Sequence, residues 1–267
     1  MEFIDAHGHI TNDDYDNVEE IVKNAVDAGV GVMICSSSDF LSSQKAVKIA
    51  KEYDCVFANV GIHPECVQEY DDSIFEKLEN LAKENKVVAV GEIGLDYHTS
   101  KEYVEKQKEF FIKQIEIANK LNLPIVVHSR EAMGDTIEIL KNHPPKKPSL
   151  MHCYNGSLES AQILMKLGFS FSVGGLVTFK NAKNVQEVVK NLPIENILLE
   201  TDCPYMTPVP FRGQRNEPKN VVYTADAIAK LKEISIEEVA KITTENSKRL
   251  FNIWKISFSK KSLDKTL

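Results

Sequence analysis

The feature that most constrains the fold is an alternation of two kinds of segment along the chain. Eight short apolar runs, most of them rich in valine and isoleucine, read MEFIDAH, GVMICSSS, VFANVGIHP, VVAVGEIG, LPIVVHSR, PSLMHCY, GFSFSVGG and NILLETDCP. Between them lie longer amphipathic stretches with helical spacing, such as NVEEIVKNAVDAG and KEYVEKQKEFFIKQIEIANKLN. Nearly continuous apolar strands that alternate with helices are typical of a parallel sheet covered by helices.

Eight such units in 267 residues predict an α/β fold, a (β/α)8 TIM barrel, which typically takes about 250 residues. A doubly wound open sheet is the alternative, but no GxGxxG motif follows a predicted strand. We expect a single domain over residues 1–254. The last residues, 255–267 (KISFSKKSLDKTL), are predicted to be a frayed C-terminal tail.

Composition narrows the class of protein. The formal net charge of −7 argues against broad electrostatic coating of nucleic acid, but it allows an enzyme that holds a few phosphates through metals and arginines. The five cysteines form no CxxC pair, and neither a secretion signal nor a membrane-length apolar run is visible. We therefore expect a reduced, cytoplasmic protein that has no membrane contact, and no obligatory protein partner is evident.

Ionisable side chains recur at the predicted strand ends. They are His7 and His9 on the first strand, His63 on the third, Glu92 on the fourth, His128 on the fifth, His152 on the sixth and Asp202 on the eighth. In a barrel all these ends open on one face, where barrel enzymes carry their catalytic groups. A single histidine at a strand end is more often a hydrogen-bonded loop or core residue, but five of them with two acids favour a metal centre.

The ligand types indicate what this centre would bind. Nitrogen and carboxylate ligands without paired cysteines suit a catalytic site for Mg, Mn, Zn or Co. Four histidines and two acids are too many for one ion with an open position, so we expect two divalent metal ions that share a carboxylate. Such a pair predicts hydrolysis by a metal-activated water. His63 is the weakest candidate ligand.

Strand parity predicts the orientation of two neighbours of the predicted ligands, because alternate strand residues point to one face. Asp5 shares the parity of His7 and His9, so it would either brace an imidazole N–H or be a buried hydrogen-bonded acid; both readings stay open. Cys153, directly after His152, should face away from the centre.

Six motifs occur in order between residue 3 and about residue 220: DAHGH, GIHP, VGEIGLDY, VVHSR, HCYNG and ETDCPYMTPVPFRGQRNEP. Together they resemble the TatD family of metal-dependent hydrolases, which belongs to the amidohydrolase-type metal barrels. The resemblance implies an enzyme that hydrolyses ester bonds, a divalent-metal-dependent deoxyribonuclease that often acts on strand ends. The implied partner is therefore DNA, as single strands or ends.

The resemblance also implies a role for each matched residue. His7 and His9 would hold one ion, His128 and His152 the other, and Glu92 would bridge them. Asp202 would bind the first ion and orient or deprotonate the nucleophilic water, which makes Glu92 and Asp202 the catalytic acids. The positions implied to contact substrate are His63, Arg130, Arg212, Asn216 and Glu217; Arg130 is equally compatible with a structural ion pair.

The chain departs from the family pattern at one informative place. Residues 63–65 read HPE where family members commonly read HPH, so an imidazole is replaced by a carboxylate that would repel phosphate. Two other functions stay open. The same centre would suit another bond, such as the ester of an aminoacyl-tRNA or a cyclic amide. A non-catalytic binding module is the third possibility, although it predicts missing ligands and all six are present.

Overall fold

The computed structural model describes residues 1–11, 15–99 and 101–254. The tail predicted over residues 255–267 lies outside the described residues. No helix in the part of the chain that is described combines the length and the apolar character needed to cross a membrane.

Eight parallel strands form one sheet in sequence order, which confirms the predicted barrel. They are β1 (Phe3–Gly8), β2 (Val30–Cys35), β3 (Val56–Val60), β4 (Val87–Asp96), β5 (Ile125–Arg130), β6 (Ser149–Met151), β7 (Phe169–Val173) and β8 (Ile197–Leu199). Every pairing between consecutive strands is parallel. Strand order and direction together place all carboxyl ends on one face of the barrel.

Helices follow the strands and cover the outside of the sheet. They are α1 (Val18–Asp27), α2 (Phe40–Glu52), α3 (Ile74–Leu81), α4 (Val104–Leu121), α5 (Met133–Asn142), α6 (Leu158–Lys166), α7 (Lys183–Asn191), α8 (Val221–Lys232) and α9 (Ile236–Phe251). Polar caps explain several of their boundaries. The side chains of Asn17, Asp39, Ser157 and Ser235 accept a first-turn N–H of α1, α2, α6 and α9.

The barrel interior is filled by its own apolar cluster. Ile4, Val32, Val126, Leu150 and Leu198, from five different strands, pack in one group whose helical members come only from the end of α9. Residues contributed by strands all round the sheet meet only inside the barrel. The alternate residues on the same strands face outward and pack under the helices in a larger cluster.

The seam between β8 and β1 is bridged by hydrogen bonds at and just beyond the strand ends. The Asp202 N–H donates to the His7 carbonyl (3.0 Å), and the His9 N–H donates to the Cys203 carbonyl (2.7 Å). The buried Asp5 carboxylate accepts the backbone N–H of Thr201 (2.9 Å) and its hydroxyl (2.6 Å). These bonds hold the first candidate ligands beside the last one.

Candidate metal centre

The centre lies where the inward-facing rows of the strands pass from apolar to polar residues. His128 stands two positions beyond Val126, and His152 stands two positions beyond Leu150, so both imidazoles share the inward parity of the interior cluster. The site is therefore a polar layer on top of an apolar plug, at the carboxyl ends of the strands.

Glu92 is the middle of this layer, and its two oxygens face two different pairs of histidines. Oε2 lies 3.2 Å from His7 Nε2 and 3.5 Å from His9 Nε2. Oε1 lies 2.9 Å from His128 Nδ1 and 2.8 Å from His152 Nε2. The carboxylate is thus placed to bridge two cations, one on each side.

Asp202 joins the side of the centre that carries the β1 histidines. Its Oδ1 lies 3.5 Å from His9 Nε2 and 3.9 Å from His7 Nε2. In the described residues, three groups bring their candidate ligand atoms within 4.8 Å of one another: His7 with His9 and Asp202, His7 with Glu92 and His152, and His63 with Glu92 and His128. The six ligands implied by sequence therefore lie together, and their nitrogen and carboxylate donors fit divalent ions.

Burial and neighbouring charges set the protonation of these groups. Burial raises the pKa of Glu92, but the surrounding imidazoles of His152, His63 and His128 together outweigh it, so its pKa lies well below the usual range. Burial is also the main influence on His7, where it lowers the pKa. An ionised carboxylate and a neutral imidazole are the forms that bind metal ions.

A close approach between β4 and β5 brings Glu92 and His128 together. Gly94 has φ +138° and lies so near β5 that a Cβ there would stand 2.0 Å from the His128 carbonyl oxygen. A residue with a side chain would push the two strands apart. Gly94 is therefore required where it stands, between the bridging acid and its partner histidine.

Asp96 orients His128, and sequence reasoning missed it. Its Oδ2 lies 2.9 Å from His128 Nε2, while Oδ1 accepts the backbone N–H groups of His98 and Thr99, both at 2.9 Å. Burial raises the pKa of Asp96, but the hydrogen bonds from His128, Thr99 and His98 together more than offset it, and the net pKa is lowered. An ionised Asp96 keeps the proton of the imidazole on Nε2. Nδ1, which faces the centre, is then unprotonated and can bind an ion.

Glu200 is a second buried acid that the sequence did not single out. It is fully buried, accepts a hydrogen bond from the Ser172 hydroxyl, and lies 3.7 Å from His152 Nδ1. The prediction that Cys153 faces away rests on strand parity, which does not apply because β6 ends at Met151 and Cys153 has a left-handed backbone (φ 44°). The orientation of its thiol stays a prediction. Burial and the charge of Glu200 raise the pKa of its thiol.

His63 is arranged as a hydrogen-bond donor rather than as a ligand. Its Nδ1 accepts the backbone N–H of Glu65 (3.2 Å), so a neutral ring carries its proton on Nε2, 3.2 Å from Glu92 Oε1. Burial lowers the pKa of His63, which favours that neutral ring. The carboxylate of Glu65, the departure noted in the sequence, accepts a hydrogen bond from the Thr99 hydroxyl.

Asp5 takes the second of its two predicted roles. Besides its bonds with Thr201, it accepts the backbone N–H of His7 at 3.4 Å, so it supports the backbone of β1. Burial raises its pKa to about 8, although the hydrogen bonds from Thr201 oppose the shift. The register of β1 against β2 also shifts between Asp5 and Gly8.

The long loop after β8 is anchored by Asn216. Its Nδ2 donates to the carbonyls of Thr201 (2.9 Å) and Tyr205 (2.7 Å), and its Oδ1 accepts from Glu217 N and Asn220 Nδ2, both at 2.9 Å. The amide is buried with its hydrogen-bonding capacity used inside the protein. The predicted contact of Asn216 with substrate therefore has no free polar atom to support it.

The other predicted substrate contacts lie further out. Arg212 is exposed, and its guanidinium stacks 4.3 Å from the centre of the Phe179 ring. Glu217 bonds Lys219 (2.7 Å), while Arg130 is exposed at the end of β5. In the described part of the chain, His63 is the predicted substrate contact that lies against a candidate ligand, Glu92, so the roles of the others stay predictions.

An eight-stranded barrel that gathers nitrogen and carboxylate ligands at the carboxyl ends of its strands defines a metal-dependent hydrolase of the barrel type. A family model described as TatD related DNase matches residues 4–252. The chain belongs to the TatD family of metal-dependent hydrolases.

Individual relatives agree with this assignment. The uncharacterized metal-dependent hydrolase YabD of Bacillus subtilis is 44% identical over 251 residues, which span 93% of this chain and 98% of that protein. YcfH of Escherichia coli, also described as an uncharacterized metal-dependent hydrolase, is 36% identical over 95% of this chain and 97% of its own length. The crystal structure of YjjV, a TatD homologue from Escherichia coli, superposes with a TM-score of 0.90 at 31% identity, covering 94% of this chain and 98% of that one.

Proposed function

We propose that this protein is a divalent-metal-dependent deoxyribonuclease that hydrolyses DNA phosphodiester bonds with water, acting on single strands or strand ends. The observation that carries the proposal is the division of the Glu92 carboxylate between two pairs of imidazoles. A bridging carboxylate between two nitrogen pairs is the arrangement expected of a two-metal hydrolase. Membership of the TatD family, described as related to DNases, supports DNA as substrate.

The residues divide the work as follows. His7, His9 and Asp202 would hold one ion, His128 and His152 the other, and Glu92 would bridge them. When bound, the two divalent ions would supply an activated water and positive charge for the phosphate oxygens. Asp202 Oδ1, at the open edge of the centre, would orient that water and accept its proton.

Two further groups suit the phosphate and the leaving oxygen. His63 Nε2–H is a donor already directed into the centre, beside Glu92 Oε1. Arg212 carries a planar guanidinium on the loop that follows Asp202, and such a fork matches the oxygens of a phosphate. All five cysteines are free thiols, which supports the cytoplasm as the location of the enzyme.

The test is cleavage of end-labelled single-stranded DNA with Mg²⁺ or Mn²⁺ by the wild-type protein and by Glu92→Gln and Asp202→Asn. Each variant should lower kcat/KM by more than about 100-fold, because loss of a mere partner of a ligand already costs about 10–100-fold. Chelator should abolish the wild-type activity. Glu131→Gln, which alters an exposed acid paired with His98, is the matched control and should cleave normally.

A substrate panel separates this proposal from hydrolysis of another bond by the same centre. It contains single-stranded DNA, RNA, an aminoacyl-tRNA and a cyclic amide, each incubated with the metal-loaded protein. Metal-dependent turnover of the ester or the amide, with intact DNA, would refute the deoxyribonuclease assignment and keep the hydrolase. Absence of turnover on all four, with two ions bound, would favour a binding module.

A further inference from the structure

A cleft of about 260 Å³ opens beside the metal centre and plays no part in the roles assigned so far. It shares one wall with the centre, because His9 lines both. The remaining lining residues come from the segment after β1, from the start of α2 and from the loop after β8: Thr11, Ser38, Asp39, Leu41, Ser42, Lys45 and Tyr205. A group bound here would adjoin a substrate held at the centre.

Tyr205 forms one side of the cleft and is fixed relative to the ligands. Its backbone N–H donates to the Asp202 carbonyl (3.0 Å), and its carbonyl accepts from Asn216 (2.7 Å). The ring lies edge to face with the His9 ring, with centroids 6.4 Å apart, yet the residue is 55% exposed. An aromatic ring is thus held next to a metal ligand with much of its surface open to solvent.

The first turn of α2 forms another part of the lining, and its polar groups are already satisfied. Asp39 accepts the Ser42 N–H (2.6 Å), and the Ser42 hydroxyl accepts the N–H groups of Ser38 (3.0 Å) and Asp39 (2.9 Å). This capping box uses the amides that would otherwise attract an anion, and Asp39 adds a negative charge. Leu41 is 59% exposed, so the wall offers an apolar surface.

We propose that this cleft binds a nucleobase of the DNA strand, the one next to the scissile phosphate, between Tyr205 and Leu41. The proposal rests on the proposed function, since it takes the phosphate to lie at the metal centre. A flat, neutral group with polar edges fits a cleft lined by an exposed aromatic ring and an exposed aliphatic side chain better than a second phosphate does. Lys45, one helical turn after Leu41, lies at the same cleft and suits the phosphate that follows.

The test compares how the wild-type protein and its variants bind intact strands and strands that lack one base. A short fluorescent single-stranded oligonucleotide, protected from cleavage by phosphorothioate linkages, is titrated with the Mg²⁺-loaded protein, and binding is followed by anisotropy. Matched oligonucleotides lack the terminal base at the 3′ or the 5′ end. Stacking of one base on an aromatic ring corresponds to about 5- to 150-fold in affinity.

We expect Tyr205→Ala to weaken binding of the intact strand within that range. Removal of the base from one end should weaken wild-type binding by the same factor as Tyr205→Ala does. The same removal should lower the affinity of Tyr205→Ala only a little further, because the variant has already lost that contact. Tyr205→Phe should bind like the wild type. Ile163→Ala, which changes an exposed apolar residue on α6, is the control, and Mg²⁺ titration checks that each variant keeps its centre.

Three results would overturn the proposal: wild-type affinity in Tyr205→Ala, an equal loss of affinity for intact and abasic strands, or a wild-type protein that binds neither strand. Failure of the proposed function looks different. The protein could cleave no DNA while Tyr205→Ala still weakens binding of the intact strand much more than of the strand without the base. In that case the nuclease assignment fails and the nucleobase site stands. If DNA is cleaved without that difference in binding, only the nucleobase site fails.

Discussion

Asp96 decides which nitrogen of His128 faces the centre, although it lies on the far side of that ring. Its carboxylate bonds Nε2 at 2.9 Å, while Nδ1 lies 2.9 Å from Glu92. The ring can bind an ion through Nδ1 only when its proton stays on Nε2, and an ionised acid at that nitrogen secures this tautomer. Asp96 is therefore a positioning residue for the centre.

Asp96→Asn should weaken metal binding about 10- to 100-fold. An amide that donates to Nε2 favours a proton on Nδ1, where it blocks coordination. The measurement is a calorimetric titration of the metal-free protein with Mn²⁺. Asp71→Asn, which alters a carboxylate that caps a surface turn at Ser73, is the control with no expected effect. Wild-type affinity in a folded Asp96→Asn protein would contradict this role.

The candidate ligands were predictable from sequence, but their supporting acids were not. A histidine or acid at a strand end is visible as soon as the apolar run stops, and parallel strands bring such ends together. Asp96 was missed because β4 runs two residues beyond the predicted apolar run that ends at Gly94. The role of Asp5 depends on its hydrogen bonds with Thr201, 196 residues further along the chain, and no local residue pattern predicts them.

At the scale of elements, one side chain makes four of the hydrogen bonds that hold the loop after β8. Asn216 ties the backbone at Thr201 and Tyr205, on either side of Asp202, to the start of the segment that leads into α8. Proline-rich sequence predicted a long functional loop here, but sequence could not distinguish a residue that contacts substrate from one that holds the loop. Only the partners of the amide make that distinction.

Asn216→Ala should lower the free energy of unfolding by about 2–4 kcal/mol, because buried carbonyls and an N–H lose their partners. Urea denaturation gives the value, and metal titration should show weaker binding at the Asp202 side. Asn191→Ala is the matched control: that exposed amide bonds only Glu187 within α7, so we expect a change within about 0.5 kcal/mol. Equal stability of the two variants would count against the anchoring role.

At the scale of the whole molecule, the centre links strands from all round the barrel. Its candidate ligands lie on or directly after β1, β4, β5, β6 and β8, so ions that bind them stabilise the closed barrel over the unfolded chain. The fold itself was predictable because the alternation of apolar and amphipathic segments is regular, even though β6 and β8 are only three residues long.

Metal removal should therefore lower the thermal stability of the protein. At a free ion concentration of 100 times Kd, a single bound ion adds about 2.7 kcal/mol, which corresponds to about 5–11 °C in Tm for a chain of this size. Calorimetry of the metal-free protein, with and without added Mn²⁺, measures the shift. The same addition should raise the Tm of Glu92→Gln far less. An equal rise in both proteins would show that the stabilising ions bind elsewhere.

The bonds between Asp5 and Thr201 have a consequence for how the protein is made. Thr201 lies 196 residues after Asp5 along the chain, so Asp5 leaves the ribosome long before its partner is made. A nascent chain that ends at β7 has neither the closing bonds nor the Asp202 ligand. Complete loading must then follow the synthesis of Asp202, so it is the closed barrel that competes for the ions of its compartment, and their supply selects the metal.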